Sequence, residues 1–250
     1  MNIRDIKCKI NILFNINKLT NTMSTISFSK MKKILKQCFI LNKLYLETKK
    51  IIFEIYNFKK NNFFCCILLT TNKGFCSNIN SEIIKYCIKF LKTNKNLDLI
   101  IIGKKAVDFF NKKNIIITKK IIFDEKKDIF FSNEILKILN NYENVFFLSS
   151  KIFNNNIKII KTNLYEKIKK NFYEIKNINI YKLINNYINF TLKYLYLENY
   201  FSELKLRMIT MKSATDSSKK IIKNMNTIKN KIRQFKVTQE MLEIINSINL

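Results

Sequence analysis

The sequence predicts an α/β fold with a long helix at each end and a domain of alternating strands and helices between them. Both terminal segments carry apolar residues at steps of three and four, the spacing of a helix that packs along a partner helix. The middle of the chain alternates short apolar runs with amphipathic stretches, which is typical of a largely parallel sheet covered by helices. We therefore divide the chain into an N-terminal helix at 1–58, an α/β domain at 59–184 and a C-terminal helix at 185–250.

The N-terminal segment, about Asn2 to Tyr56, predicts a helix with a sustained heptad, because every step in one frame is three or four residues. The frame consists of Ile6, Ile10, Leu13, Asn17, Thr20, Ser24, Ser27, Met31, Ile34, Cys38, Leu41, Tyr45, Thr48, Ile52 and Ile55. Its ends are apolar and its middle is polar. Two interpretations of the middle stay open: a coiled-coil seam with a few weak layers, or a stretch that faces a partner protein.

The middle segment predicts an α/β domain of roughly 120 residues with a largely parallel sheet. Short β-branched runs predict strands, and amphipathic stretches predict helices. In chain order these are a strand at 63–71, a turn at 72–74, a helix at 77–91, a strand at 97–102, a helix at 104–112, strand-like runs at 115–117 and 121–123, a helix at 133–141 and a strand at 145–149. Lys151 to Ile184 is expected to add one or two edge strands or a shortened helix.

The C-terminal segment, about Asn186 to Leu250, contains neither Gly nor Pro, so nothing in it must interrupt a helix. As one helix it would be roughly 95 Å long. Its frame consists of Leu204, Met208, Met211, Thr215, Ser218, Ile222, Met225, Ile228, Ile232 and Phe235. Two successive steps of three, from Ile222 to Ile228, predict local overwinding. A shaft of only two such helices cannot bury all its apolar surface, so the excess must meet another protein.

The charge of the chain is strongly positive, with 46 Lys and Arg against 18 Asp and Glu and a formal net charge of +28. Such an excess favours an anionic partner such as nucleic acid or a membrane surface. The dominant residues are those of A/T-rich codons, however, so a compositional, solvated surface explains the excess better. No apolar run approaches the roughly 18 residues of a membrane span, and no signal peptide with a cleavage site is recognisable.

The residue types exclude the common forms of catalysis. The chain has no His, so neither a Cys–His pair nor a Ser–His–Asp triad can form, and no usual zinc pattern exists. The six cysteines include no C-x-x-C pair, and the adjacent Cys65 and Cys66 are predicted to be buried in a reducing compartment. Asn72–Ser77 lies between a strand and a helix, where α/β folds bind phosphates, and the helix N-terminus could activate Cys76. A single Gly predicts an ordinary tight turn there, with Ser77 near the helix cap. We expect no catalytic, cofactor or metal site.

Blocks at both ends of the chain resemble the gamma subunit of F-type ATP synthases. The C-terminal blocks are RMITMKSATD at Arg207–Asp216, NKIRQ at Asn230–Gln234 and VTQEMLEI at Val237–Ile244. The N-terminal matches are Arg4–Lys7, Lys9, Ile10, Asn15–Thr20, Met23 and Ser29–Met31. The C-terminal blocks share one frame and the family's spacing, which makes the resemblance specific.

The middle of the chain resembles the same family more loosely. NKGFCS at Asn72–Ser77 is similar to the family's D-[KR]-G-L-C-G element but departs from it at Asn72, Phe75 and Ser77. GKKAVDFF at Gly103–Phe110 is a further loose match. The chain is short for the family, and we expect the deletion between about Phe123 and Asn186.

The resemblance implies a long antiparallel coiled coil of the terminal helices with an inserted Rossmann-like α/β domain that lacks a nucleotide site. It implies a central rotor shaft, non-catalytic itself, that couples proton-driven rotation of the c ring to ATP synthesis at the beta subunits. The expected partners are three alpha and three beta subunits, the epsilon subunit and the c-subunit ring, with no nucleic acid. The expected location is the cytoplasmic side of the bacterial inner membrane, peripheral and not inserted, because the first motif begins too close to Met1 for a transit peptide.

Taken position by position, the resemblance also implies a contact between rotor and stator. Met23 matches a helix position near the moving loop of the beta subunits, and Arg207 heads the C-terminal blocks. The positions packed around that contact match Arg233, Gln234, Thr238, Gln239, Glu240 and Glu243.

Two other classes of protein remain as alternatives. A basic coiled-coil protein that binds nucleic acid would carry its basic residues on one stripe. A degenerate Rossmann enzyme would bind a nucleotide at the turn around Gly74. Neither class explains the spaced blocks at both ends of the chain.

Overall fold

The computed structural model describes residues 3–55, 64–94, 97–123, 135, 138–139, 142, 144–153, 156–165 and 180–248. In chain order, the elements are α1 (Ile3–Ile55), β1 (Phe64–Leu69), α2 (Ile79–Thr93), β2 (Leu97–Ile102), α3 (Lys104–Lys112), β3 (Lys119–Ile121), β4 (Asn144–Phe153), β5 (Asn156–Asn163) and α4 (Ile180–Ile248). Long terminal helices thus flank a central α/β sheet, which confirms the predicted fold class.

The strands of the described residues form one sheet in the order β3-β2-β1-β4-β5. β1 lies at the centre, parallel to β2 on one side and to β4 on the other, and β3 adds parallel to β2. β5 runs antiparallel to β4 and forms that edge of the sheet. Strands that wind outwards from a central first strand are the arrangement of Rossmann-like domains.

Both faces of the sheet are covered by helices. On one face, Ile67 of β1 belongs to a core with Phe53 of α1 and Tyr187 of α4. On the other face, Leu68 belongs to a second core with Phe110 of α3 and the buried side of α2. Since successive strand residues point to opposite faces, a sheet that is covered on both sides needs apolar residues at every position. This explains the continuous apolar runs of β1 and β2.

Several element bounds differ from those predicted. β2 and α3 begin and end where expected, but α2 begins at Ile79 because Ser77, with φ 55°, has a left-handed backbone that no right-handed helix accepts. The prediction of a strand at 115–117 was wrong. The chain there leads to a hydrogen bond from Thr118 N to Leu99 O of 2.9 Å, and the strand follows at β3.

The segment that was hardest to assign contains one edge strand, β5, and the start of α4 at Ile180. Residues 166–179 lie outside the described residues, as does most of the helix predicted at 133–141. Of that helix, Ile135, Ile138 and Leu139 are described as helical, and Ile135 and Leu139 belong to the core between the sheet and the long helices.

The chain divides into two compact units. The first joins Met1–Phe28 with Arg207–Leu250, and the second is Ser29–Leu206. Both units contain a part of each long helix. From Ile6 to Ile52, every position of the predicted N-terminal frame is buried or half-buried, so the heptad periodicity of α1 was predicted correctly.

Candidate interaction surface

The middle of the seam between α1 and α4 in the first unit is polar and hydrogen-bonded. Asn17 Nδ2 donates to Thr215 O at 2.8 Å and to Ser218 Oγ at 2.7 Å. Thr215 Oγ1 donates to Thr20 Oγ1 at 2.8 Å, and Ser24 Oγ donates to Met208 O at 3.3 Å. As α1 advances from 17 to 24, its partners in α4 recede from 218 to 208, so the helices are antiparallel. The polar middle of the frame therefore faces α4, which favours the coiled-coil interpretation over a stretch that faces a partner.

Further along α4, a lysine occupies one seam position, so the steps of three and four residues continue to alternate. Met225, Lys229 and Ile232 are half-buried, whereas Ile228 is 44% exposed. The predicted overwinding through Ile228 was therefore wrong. Phe235, also assigned to the seam, is 70% exposed.

The position of α1 explains why the seam stops at Ile232. Asn17 lies level with Thr215 and Ser218, so in an antiparallel pair Ile3 lies level with about residue 230. No described residue of α1 lies opposite Phe235. Every residue of α4 from Arg233 to Ser247 is exposed.

This unpaired end of α4 (Arg233–Ser247) exposes many apolar side chains. Its exposed large hydrophobic residues are Phe235, Val237, Met241, Leu242, Ile244 and Ile245. Apolar exposure on this scale, along consecutive turns of one helix, marks a surface that another protein covers.

A second heptad follows the outer side of α1, one residue ahead of the polar seam. We call it the outer stripe, and it consists of Ile12, Ile16, Leu19, Met23 and Ile26, all of them exposed. Its steps are four, three, four and three residues, the spacing of a helix–helix contact. Sequence reasoning found only Met23 of this set, although the same periodicity was present one residue out of frame.

Seven of the eight predicted contact residues lie on these exposed surfaces. Met23 belongs to the outer stripe and is 46% exposed, and Arg207 is half-buried where α4 enters the first unit. The other six lie together in the unpaired end of α4, all exposed: Arg233, Gln234, Thr238, Gln239, Glu240 and Glu243. Two hydrogen bonds in this set, Thr238 Oγ1 to Gln234 O at 2.9 Å and Gln239 Nε2 to Glu243 Oε1 at 3.3 Å, stay within the helix. These side chains are therefore accessible to a partner.

The turn after β1 uses its polar groups inside the fold. Asn72 Nδ2 donates to Phe123 O at 2.9 Å, and Asn72 Oδ1 accepts from Lys104 N at 3.0 Å. The side chain of Asn72 thus satisfies a backbone amide at the N-terminus of α3. The residue at the α2 cap is Asn78, directly after Ser77, which was predicted to lie near the cap. The side chain of Asn78 makes no capping bond.

The cysteines are free thiols and differ in burial. Burial, followed by the nearby Asp98 carboxylate, raises the pKa of Cys65 from 9.0 to about 12. Burial and the neighbouring Cys87 thiol raise the pKa of Cys66 well above its ordinary value. A protonated, inaccessible thiol is a poor nucleophile. Cys65 and Cys66 are both fully buried, which confirms their predicted burial, whereas Cys8 is exposed and Cys38 half-buried.

The basic residues singled out on α4 do not form one stripe. They are Lys219, Lys220, Lys223, Lys229, Lys231 and Arg233. Lys220 and Lys229 are nine residues apart and lie on opposite sides of the helix, since each residue turns it by about 100°. Lys229 lies in the seam.

Among the described residues, no group of three or more Cys, Asp or Glu side chains could hold a metal ion. None of the helices in the described ranges combines the length and the apolar composition of a membrane span.

The chain resembles known proteins in both sequence and structure. A family model described as ATP synthase matches residues 2–249. The ATP synthase gamma chain of Buchnera aphidicola subsp. Schlechtendalia chinensis is 33% identical over 287 residues, covering 98% of this chain and 97% of the relative. The gamma chain of Buchnera aphidicola subsp. Melaphis rhois is 30% identical, covering 97% and 96%. That alignment runs over 284 residues, against 250 in this chain, so the chain is short relative to this gamma chain.

Solved structures agree at the level of the fold. A chain from a structure of the Euglena gracilis mitochondrial ATP synthase rotor superimposes with a TM-score of 0.74 at 15% identity, covering 94% of this chain and 98% of that chain. Together with the sequence matches at both ends, the polar seam and the five-stranded sheet, this gives the conclusion that the chain belongs to the gamma-chain family of ATP synthases.

Proposed function

We propose that the chain is the central rotor shaft of an F-type ATP synthase, which couples proton-driven rotation of the c ring to ATP synthesis at the beta subunits. In this proposal the chain is not catalytic itself, and nucleotide chemistry belongs to the beta subunits. Its partners are three alpha and three beta subunits, the epsilon subunit and the c-subunit ring. It lies at the cytoplasmic side of the bacterial inner membrane, peripheral and not inserted.

The observation that carries the proposal is the exposed apolar surface of the first unit. The unpaired end of α4 and the outer stripe of α1 both present large hydrophobic side chains to solvent. A ring of alpha and beta subunits around these helices would cover them. Only contacts that differ from one rotational angle to the next can bias a beta subunit among its conformations. A helix pair that ends in a single helix has such an asymmetric outline.

Relatives and structural neighbours support the partners. The curated relatives are named as ATP synthase gamma chains. A chain of similar fold, with a TM-score of 0.74, lies in an OSCP/F1/c-ring assembly of the Euglena gracilis enzyme. The exposed basic residues of α4 lie around the helix rather than on one stripe, which argues against nucleic acid as the partner.

Within this function, we assign the rotor–stator contact to Met23, Arg207 and the six residues of the unpaired end of α4. Arg233→Ala or Gln234→Ala is expected to lower proton-driven ATP synthesis roughly fivefold, because a contact residue at an interface contributes about 1 kcal/mol. Both side chains are exposed, so neither change unfolds the shaft. The measurement is ATP synthesis in inverted membrane vesicles, with circular dichroism of the purified chain.

Lys220→Ala is the matched control, since Lys220 is an exposed cation of the same helix outside the assigned contact. It should leave ATP synthesis unchanged. Unchanged synthesis in both Arg233→Ala and Gln234→Ala would remove these residues from the contact.

The function itself is tested by co-expression with the alpha and beta subunits of the same host. Native mass spectrometry should show one copy of this chain per three alpha–beta pairs, with ATPase activity that depends on the chain. A chain that purifies alone, or only with nucleic acid and with a steep loss of binding in salt, would replace the rotor proposal with the basic coiled-coil alternative.

A further inference from the structure

β4 extends beyond the strand beside it, and α4 takes the vacant position. β1 pairs with β4 as far as Leu68 opposite Leu148, while β5 continues on the other side to Phe153. Ser150 therefore has no strand neighbour on the β1 side. Its N–H donates to Asn199 Oδ1 at 3.0 Å, and its carbonyl oxygen accepts from Ser202 Oγ at 3.3 Å. Two α4 side chains one turn apart thus take the place of the missing strand.

Both of these bonds are buried, and a second hydrogen bond joins Ser150 to Asn199. Asn199 is 4% exposed, and Ser150 and Ser202 are fully buried. Asn199 Oδ1 also accepts from Ser150 Oγ at 2.7 Å. A buried backbone amide must find a partner, so Asn199 is bound to one point of the sheet.

An ion pair lies next to these bonds. Lys151 Nζ lies 2.7 Å from Glu198 Oε1, and Tyr194 OH donates to the same carboxylate oxygen at 2.9 Å. Burial and Glu198 together raise the pKa of Tyr194, so the phenol keeps the proton that it donates. We call this set the β4–α4 joint, and it comprises Ser150, Lys151, Tyr194, Glu198, Asn199 and Ser202.

The joint differs from the rest of the contact between the sheet and α4. The rest of that contact is mainly a core of apolar side chains such as Phe147 and Leu192, with one further buried hydrogen bond, from Tyr187 OH to Leu164 O at 2.6 Å. Close packing of the apolar side chains also opposes movement, but apolar burial itself is not directional. Hydrogen bonds depend on distance and angle. The joint therefore supplies directional contacts that help to fix the sheet along α4.

We propose that Asn199 is a positioning residue for rotary coupling, because it locks the α/β sheet to α4 so that torque applied to the sheet passes into the shaft helix. The inference rests on the proposed rotor function, with the c ring applying its torque to the α/β domain. α4 continues as one helix from Ile180 to Ile248, so a force received at Asn199 is carried along the same helix to the unpaired end. Without the joint, the sheet and the helix slip under load, and part of each rotation is lost.

The test uses the assembled synthase in membrane vesicles and compares proton-driven ATP synthesis with ATP hydrolysis. Asn199→Leu keeps the size of the side chain and removes the acceptor. It should leave the alpha–beta stoichiometry and hydrolysis near wild type and lower the ratio of synthesis to hydrolysis at least about threefold, the scale of coupling changes in packed networks. Asn199→Asp retains the accepting oxygen and should restore most of that ratio.

Thr191→Val is the matched control. Thr191 is equally buried on α4, but its hydroxyl donates to Tyr187 O within the helix, at 2.7 Å. It should not change the ratio. If Asn199→Leu fails to assemble, Ser202→Ala decides, because it removes only one bond to Ser150. A smaller loss of the ratio supports the joint, and an unchanged ratio counts against it.

A covalent version of the joint separates positioning from simple destabilisation. The Ser150→Cys and Asn199→Cys changes are combined in a Cys8→Ser background, since Cys8 is the exposed native thiol. The reduced form should couple poorly, and a disulfide between the two new thiols should restore coupling. Wild-type coupling in Asn199→Leu, or no recovery on oxidation, overturns the inference. If the unmodified chain does not assemble with alpha and beta subunits, the rotor proposal fails instead.

Discussion

The two compact units differ in how they bury their apolar side chains. In the second unit, Ile52, Leu192 and the central strands are buried in cores on both faces of the sheet. In the first unit, the middle of the seam between the helices is polar, and large side chains such as Leu19 and Leu242 are exposed. The same long helices contribute to both units. The difference therefore comes from where the apolar residues lie on each helix, not from the type of element.

The second unit is stabilised by contacts within the chain, whereas the first unit leaves apolar surface exposed for a partner. A buried core gains roughly 25 cal/mol per Å² of apolar area removed from water, so the second unit gains this contribution to its stability from its own residues. The first unit forgoes much of it while the chain is alone. We therefore expect substitutions at apolar residues to affect folding in the second unit and assembly in the first.

The largest effect is expected at Gly103, where the backbone of Thr70 passes too close to leave room for a side chain. Gly103 has φ 113°, and a Cβ there would overlap the carbonyl oxygen of Thr70. Gly103→Ala should destabilise the second unit by about 3–5 kcal/mol, because both the left-handed backbone and the overlap must be relieved. Gly74→Ala is the control, since nothing lies within 4 Å of its Cβ position. Urea unfolding that gave equal losses for the two variants would contradict this explanation.

Matched leucines test the comparison itself. Leu192 is buried in the core between sheet and helices, and Leu242 is exposed in the unpaired end of α4. Leu192→Ala should cost about 2–5 kcal/mol in urea unfolding, whereas Leu242→Ala should stay within about 0.5 kcal/mol. With alpha and beta subunits present, the order should reverse for binding per folded molecule. Comparable destabilisation of the isolated chain by both changes would show that the unpaired end is covered within the chain.

Alkaline unfolding offers a smaller test of the same contrast. Cys65 is buried and its pKa is raised from 9.0 to about 12, so the folded state holds a proton that the unfolded state releases. Its contribution is complete below pH 9 and is lost as the pH rises towards 12. At pH 10 this loss amounts to about 1 kcal/mol. Cys65→Val should flatten the decline measured by urea unfolding between pH 8 and about pH 11. Cys8→Ala, at an exposed thiol, should leave the decline unchanged.

Periodicity made most of the fold predictable. The frame of α1 was found residue by residue because one side of a helix repeats every three or four positions. β2 and α3 were bounded correctly because Gly103 separates them. Local backbone conformation was not predictable, since nothing in the composition of Phe75 or Ser77 indicates a positive φ. The three-residue strand β3 is stabilised by pairing with β2. This is a long-range contact, and the residues of β3 themselves, which include two lysines, do not predict it.

The candidate surface was predictable only in part. The unpaired end of α4 was found through resemblance, but its lack of a partner among the described residues depends on the register of the two helices. That register is visible only in bonds such as Asn17 to Thr215. That Lys229 rather than Ile228 lies in the seam also follows from this register, because hydrophobicity alone would place the isoleucine there. The β4–α4 joint arises from the different lengths of β1 and β4, which no local pattern encodes.

The polar seam provides the smallest and most discriminating prediction. Asn17 bonds across to Thr215 and Ser218, and a single polar residue in a coiled-coil seam commonly fixes register at a cost in stability. Asn17→Leu should therefore strengthen the helix pair by about 1 kcal/mol, and Asn17→Ala, which leaves a gap, should weaken it by about 1 kcal/mol. Native-state hydrogen exchange of α1 within the first unit measures this local stability. Asn21→Leu, at an exposed position of the same helix, is the control and should have little effect. If Asn17→Leu instead lowers protection, the hydrogen bonds of the seam themselves stabilise the first unit. The contacts of the two units would then differ in chemistry, polar in the first and apolar in the second, but not in strength.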